Sequence, residues 1–281
     1  MIERSLTCLG SHGFHRLNYC EWAGSVGART ILCLHGLTRN ARDFDRLAEA
    51  LAGKFRIVAA DMPGRGKSQW LGHAEDYALP LYLGDTIALI ARLGVDTLDI
   101  VGTSMGGMIG MLLAALPHNP IRRLVINDVG PLIAKEGLER IAGYVGSDPS
   151  FADLTALEAG LRIMFAGFGP IGDADWRAMA EHSARRKPDG TLGLAYDPKI
   201  ADAFKLAPLQ DVDLWTSYDA IKCPTLVLRG GRSDLLRAAD AQAMTQRGPR
   251  AKLVEFSDCG HAPSLTRPEQ IAAITEFLSR A

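Results

Sequence analysis

Residues 98–107 read Leu98-Asp99-Ile100-Val101-Gly102-Thr103-Ser104-Met105-Gly106-Gly107, and an apolar stretch then runs on to Leu116. A short apolar run that stops on glycine predicts a strand buried on both faces. Residues 105–116 predict a buried helix that stops before Pro117. Between the two lies Gly102-Thr103-Ser104-Met105-Gly106, a G-x-S-x-G pattern. A sharp strand-to-helix turn brings backbones so close that small residues are needed on either side of the serine. Its hydroxyl then stands exposed above the sheet, at a helix N-terminus. A glycine-rich helix start with a serine cap would carry the same letters. The buried strand before the motif and the apolar helix after it favour the turn.

The same alternation continues outward from this stretch. Apolar runs at 30–34, 56–60, 123–127, 225–228 and 252–256 predict strands, and residues 6–22 predict a hairpin. Residues 40–51, 82–93 and 271–278 have helical spacing. Strands alternating with helices predict a mostly parallel sheet flanked by helices on both faces. The alternation breaks between Pro131 and Asp213, where 157–165 and 176–186 look helical and no strong strand appears. Ligands of open α/β sheets bind at the C-terminal edge of the strands. The reading is therefore a core of residues 1–130 and 214–281 with a helical cap at 131–213 lying over that edge.

Bulk properties exclude several classes. A formal net charge of -1 gives no reason to expect nucleic acid or an anionic membrane as partner. The five cysteines, at 8, 20, 33, 223 and 259, form no C-x-x-C pair, so neither a zinc site nor a disulfide framework is expected. No apolar segment is long enough to span a bilayer, and residues 1–22 lack the apolar core of a signal peptide. A cytoplasmic protein is expected. Gly66-Lys67-Ser68 ends like a phosphate-binding loop, but Asp61 stands where the earlier glycine is needed.

A serine hydroxyl is a weak nucleophile and needs a base. Of the seven histidines, His261 is preferred. It lies in Asp258-Cys259-Gly260-His261-Ala262-Pro263, after the last strand, and fits the chain order serine, acid, histidine. His35 ends a strand and is read as shaping the turn beside it. Asp234, in Arg229-Gly230-Gly231-Arg232-Ser233-Asp234, is the expected acid on chain order and strand-end placement. Asp128, which ends the strand at 123–127, is the alternative acid.

Together these stretches resemble the α/β-hydrolase superfamily, in its branch of small bacterial esterase-like and enol-lactonase-like enzymes. His35-Gly36-Leu37 resembles the oxyanion loop, and Asp61-Met62-Pro63-Gly64-Arg65-Gly66-Lys67-Ser68 the D-x-P-G-x-G-x-S loop. Ser104-Met105-Gly106-Gly107 resembles the nucleophile elbow, and Gly260-His261 the histidine loop. The resemblance implies the α/β-hydrolase fold with an eight-stranded sheet and the helical cap. It also implies an oxyanion hole from the backbone amides of Leu37 and Met105. Acyl transfer builds negative charge on a carbonyl oxygen, which preorganised N–H donors stabilise.

The expected activity is hydrolysis of a small carboxylic ester, lactone or thioester through an acyl-enzyme. Neither a metal nor an organic cofactor is expected, and the only expected partner is a small-molecule substrate. Oligomeric state stays open. A carbon–carbon bond hydrolase acting on a diketone, or a non-catalytic small-molecule receptor on the same fold, is the alternative. In the cap, Phe165, Phe168 and Trp176 are expected to select substrate. Arg39, two residues past Leu37, is expected to clamp a carboxylate on the substrate; pairing with Asp43 is its competing role.

Overall fold

The computed structural model describes residues 1–280. Strands β1 (Ile2–Gly10) and β2 (Gly13–Trp22) form an antiparallel hairpin. Then follow β3 (Gly24–Leu34), α1 (Asp45–Leu51), β4 (Gly53–Asp61), α2 (Leu79–Leu93), β5 (Leu98–Thr103), α3 (Met105–Ala115) and β6 (Ile121–Asn127). The segment after β6 contains β7 (Leu132–Ile133), α4 (Lys135–Ala142), α5 (Leu154–Met164), α6 (Asp173–Ser183), β8 (Ala184–Arg186), β9 (Leu192–Leu194) and β10 (Val212–Asp213). Strands β11 (Thr225–Gly230) and β12 (Lys252–Phe256) and a closing helix, Pro268–Ser279, complete the chain.

Eight strands make one sheet in the order β1-β2-β4-β3-β5-β6-β11-β12. The two pairings that involve β2 are antiparallel, and the rest are parallel. The apolar runs explain this. In β3, Leu32 and Leu34 face one core while Ile31 and Cys33 face the other. Helices α2 and α3 cover the first face with Tyr82, Leu89, Ile109 and Met111. Helix α1 and the closing helix cover the second with Leu47, Leu51, Ile274 and Phe277. A fully buried leucine or isoleucine contributes about 1.5–3 kcal/mol. A one-residue slip would exchange every side chain between the faces, so the register is strongly held.

The insertion contributes no strand to this sheet. It does contain strands, which the sequence pattern did not reveal: β7 pairs with β10 at its foot, and β8 with β9. Each ladder is only two or three residues long, too short for an alternation to register. Leu157 and Leu161 of α5 bury themselves against Trp176 and Ala180 of α6. Among the described residues, no helix is long and apolar enough to cross a membrane.

Candidate active site

Ser104 sits at the junction of β5 and α3 with φ 52 and ψ -116. This is a strained conformation for a non-glycine residue, held by its surroundings. A Cβ on Gly102 would lie 2.3 Å from the Gly106 carbonyl oxygen, and one on Gly106 would lie 2.0 Å from that of Leu34. The two glycines of the motif are therefore steric requirements of the turn. The Ser104 N–H donates to the Asn127 carbonyl at 2.9 Å, tying the turn to the end of β6.

The His261 loop crosses the end of β11 so closely that a Cβ on Gly230 would lie 2.1 Å from the Gly260 carbonyl oxygen. Asn127 Nδ2 donates to the Pro263 carbonyl at 2.9 Å and to Thr103 Oγ1 at 3.1 Å, joining the loop to the elbow. His261 Nε2 consequently lies 2.9 Å from Ser104 Oγ.

The structure corrects the expected partner of His261. Its Nδ1 lies 2.8 Å from Oδ2 of Asp128, which is completely buried at the end of β6. Asp128 also accepts from the Gly230 N–H at 2.8 Å and from Ser233 Oγ at 2.6 Å. Asp234 is turned away. Its side chain is 58% exposed and is paired with Arg140 of α4 at 2.7 Å. The physical reason is sheet order. Because β6 lies between β5 and β11, the histidine loop hangs above the end of β6. Asp128 is the residue that immediately follows that strand, whereas Asp234 lies beyond a turn that follows β11. Chain order alone admits both acids.

Gly36, which follows His35, faces the nucleophile: a Cβ there would lie 3.7 Å from Ser104 Cβ. Leu37 lines the same cavity as Ser104 and His261. Met105, the other residue expected to supply an oxyanion amide, opens α3. His35 fixes the loop from behind. Its Nε2 accepts the Met62 N–H at 2.9 Å, so its proton is on Nδ1, which donates to the Gly36 carbonyl at 2.6 Å. Burial pushes the His35 pKa down to about 3; the Gly36 carbonyl opposes the shift, and Arg65 and Arg39 add to it. The ring is therefore neutral at ordinary pH.

Above Ser104 lies a cavity of about 300 Å³. Its walls include Phe165 and Phe168, together with Tyr144, Met164 and Tyr196 from the insertion. Phe165 and Phe168 stack with ring centroids 4.8 Å apart. Trp176 is not part of these walls. It is buried between α5 and α6 with the Arg162 guanidinium over its ring, because helical packing inside the insertion claims it.

Arg39 reaches the cavity but is committed elsewhere. Its Nε and Nη2 donate to the two Asp43 oxygens at 2.9 and 2.5 Å, and its Nη1 donates to Ser183 Oγ at 3.1 Å. The two-pronged clamp expected for a substrate carboxylate is thus occupied by Asp43. Arg140 is the more accessible cation of the cavity wall, with a side chain 41% exposed. Sequence reasoning missed Ser233 and Gly230, which complete the Asp128 shell, and it left Arg140 out. For Ser233 no local signal exists, because its role depends on β6 and β11 lying side by side.

The description "Alpha/beta hydrolase family" matches residues 31–274. A 3-hydroxybutyrate-oligomer hydrolase of Cupriavidus necator is 42% identical, over 98% of this chain and 96% of that protein. A 2-(acetamidomethylene)succinate hydrolase of Mesorhizobium japonicum is 29% identical, over 88% of this chain and 87% of that protein. The crystal structure of a Rickettsia typhi protein superposes with a TM-score of 0.93 at 32% identity, covering 100% of both chains.

Proposed function

The chain belongs to the alpha/beta hydrolase family, and on that premise we propose that it is a serine hydrolase that cleaves a small carboxylic ester through an acyl-enzyme. The observation that carries this reading is the continuous relay from Ser104 Oγ to His261 at 2.9 Å and from His261 to Asp128 at 2.8 Å. In this mechanism Ser104 Oγ attacks the ester carbonyl and His261 Nε2 takes its proton. Asp128 holds the Nδ1–H tautomer and stabilises the imidazolium as it forms. The N–H groups of Leu37 and Met105 receive the charge on the carbonyl oxygen, where each such donor contributes about 3–4 kcal/mol. His261 returns its proton to the leaving alcohol. Water then repeats the sequence on the acyl-enzyme.

The substrates to try first are short oligomers of a hydroxy acid, on the strength of the 42% identity to a 3-hydroxybutyrate-oligomer hydrolase. Such a substrate ends in a free carboxylate. Arg140 rather than Arg39 is the cation it can reach, because a half-exposed pair with Asp234 exchanges easily. The aromatic walls from residues 131–213, which act as a substrate-selecting cap in this reading, hold the acyl chain.

The test is labelling by a fluorophosphonate together with turnover of a panel of esters, lactones and hydroxy-acid oligomers. Wild type should be labelled at Ser104. Ser104→Ala should lose labelling and at least about 10³-fold in kcat while melting at nearly the same temperature. Retained turnover in Ser104→Ala sinks the serine mechanism. A protein that labels yet cleaves nothing on the panel contradicts the substrate class and leaves the nucleophile standing.

A further inference from the structure

Arg65 is the largest side chain that the fold buries completely. Among the described residues it forms no ion pair, and every hydrogen bond it makes ends on a neutral group. Nε donates to the Leu37 carbonyl at 2.7 Å. Nη1 donates to the Pro63 carbonyl at 2.7 Å and to the Tyr82 hydroxyl at 2.8 Å. Nη2 lies 3.8 Å from Met105 Sδ. The guanidinium also lies over the Tyr82 ring, 5.0 Å from its centroid, and 5.7 Å from that of Tyr77.

A guanidinium cannot shed its proton to escape burial, and an interior charge with no carboxylate in direct contact is destabilising; buried Asp197, which accepts from the Tyr77 hydroxyl at 2.6 Å, lies beyond the Tyr77 ring. A methionine of similar length could fill much of the same space at lower cost. The position of the charge suggests what offsets this. Arg65 touches Leu37 and Met105, the two residues whose amides form the oxyanion hole in the proposed mechanism. The reaction creates a negative charge at that hole only as the tetrahedral intermediate forms. A fixed cation behind the hole, separated from it by low-dielectric protein, favours that state over the neutral ground state. His35 is neutral and aims its Nδ1–H at the Gly36 carbonyl, and Arg39 is paired with Asp43, so Arg65 is the cation at this loop without a carboxylate partner.

We propose that Arg65 is a positioning residue of the oxyanion site, which holds the Leu37 loop through its carbonyl and supplies a buried countercharge for the oxyanion. It does not touch substrate, and it acts on kcat rather than on ground-state binding. The proposal rests on the serine-hydrolase reading given above.

Two variants test it. Arg65→Met should lower kcat by about 10- to 100-fold, less than loss of a direct oxyanion donor, while KM changes less than about threefold. Affinity for a trifluoromethyl ketone, whose adduct with Ser104 carries the oxyanion, should fall by the same factor as kcat. Arg65→Lys replaces a permanent charge with one that can titrate, because a buried lysine loses its proton readily. Its kcat relative to wild type should fall as pH rises through the lysine's lowered pKa, below the free value of about 10.4, and level off at the Arg65→Met value. A purely structural arginine would not produce that divergence. Parallel profiles for Arg65→Lys and wild type overturn the proposal, and they decide the matter even where Arg65→Met fails to fold. So does a folded Arg65→Met with kcat within twofold of wild type. If Ser104→Ala abolishes turnover but the Arg65 variants behave this way, only the countercharge is wrong. If Ser104→Ala stays active, the serine mechanism itself is wrong.

Discussion

Two neighbouring strands, β6 and β11, each lead to an aspartate, and the fold treats the two acids in opposite ways. Asp128 is completely buried and accepts from His261, the Gly230 N–H and the Ser233 hydroxyl. Asp234 stands half in water and pairs with the half-exposed Arg140. A buried carboxylate with three donors is held in one geometry, as a partner for histidine must be. An exposed pair is weak, salt-sensitive and easily exchanged. The same residue type thus serves as a fixed orienting group at one strand end and as an exchangeable surface charge at the other.

The sharpest way to break this contrast is to neutralise each acid. Asp128→Asn should lower kcat by about 10⁴-fold, because the amide favours the wrong histidine tautomer. Steady-state kinetics on the best ester of the panel would measure it. A drop of that size in Asp234→Asn instead would return the acid to β11.

A second prediction concerns stability. Asp128→Ala removes the acceptor from both the Gly230 N–H and the Ser233 hydroxyl, which remain buried. Each such orphan costs about 1–3 kcal/mol, so denaturant midpoints should fall clearly below those of Asp128→Asn. Equal midpoints for the two variants would mean that the buried donors find other partners.

His35 extends the comparison to the opposite side of the nucleophile. Its pKa is depressed from 6.5 to about 3 in the folded protein, so the unfolded chain binds the extra proton between those values. The stabilisation it contributes is present above about 6.5 and is lost as pH falls toward about 3. Denaturant melts at several pH values should show a shallower acid loss for His35→Gln than for wild type. Parallel acid limbs would count against a neutral buried His35.

The smallest effects belong to the exposed pair. Asp234→Asn should change kcat less than about threefold. Arg140→Met should raise KM for a hydroxy-acid oligomer with a free carboxylate and leave its methyl ester unchanged. Equal KM changes on both substrates would make Arg140 a wall residue without charge recognition.

Much of this molecule was legible along the chain because its causes are local. The glycines on both sides of Ser104 answer clashes with atoms at the turn itself, and alternating burial along β3 reflects the two-residue period of a strand. Phe165, Phe168 and Trp176 carry the same expectation along the chain, yet of the three only the two phenylalanines line the cavity, since an aromatic residue in a helical segment does not reveal which neighbour will bury it. Arg39 met the same limit: its partner Asp43, four residues on, was visible in the sequence, but whether substrate or Asp43 would occupy its fork depended on packing against Ser183 and Phe165.

By itself the sequence determined the sheet-and-helix alternation, the elbow at Ser104 and the histidine loop at His261, because short-range sterics and hydrophobic period specify them. Only the tertiary structure decided which acid meets His261 and where the buried charge of Arg65 points. Those outcomes depend on strand order. Asp128 and His261 are separated by 133 residues, and they meet because β6 lies between β5 and β11. No spacing along the chain encodes that neighbourhood; it arises when the parallel strands pair and the loops at their ends are pressed together.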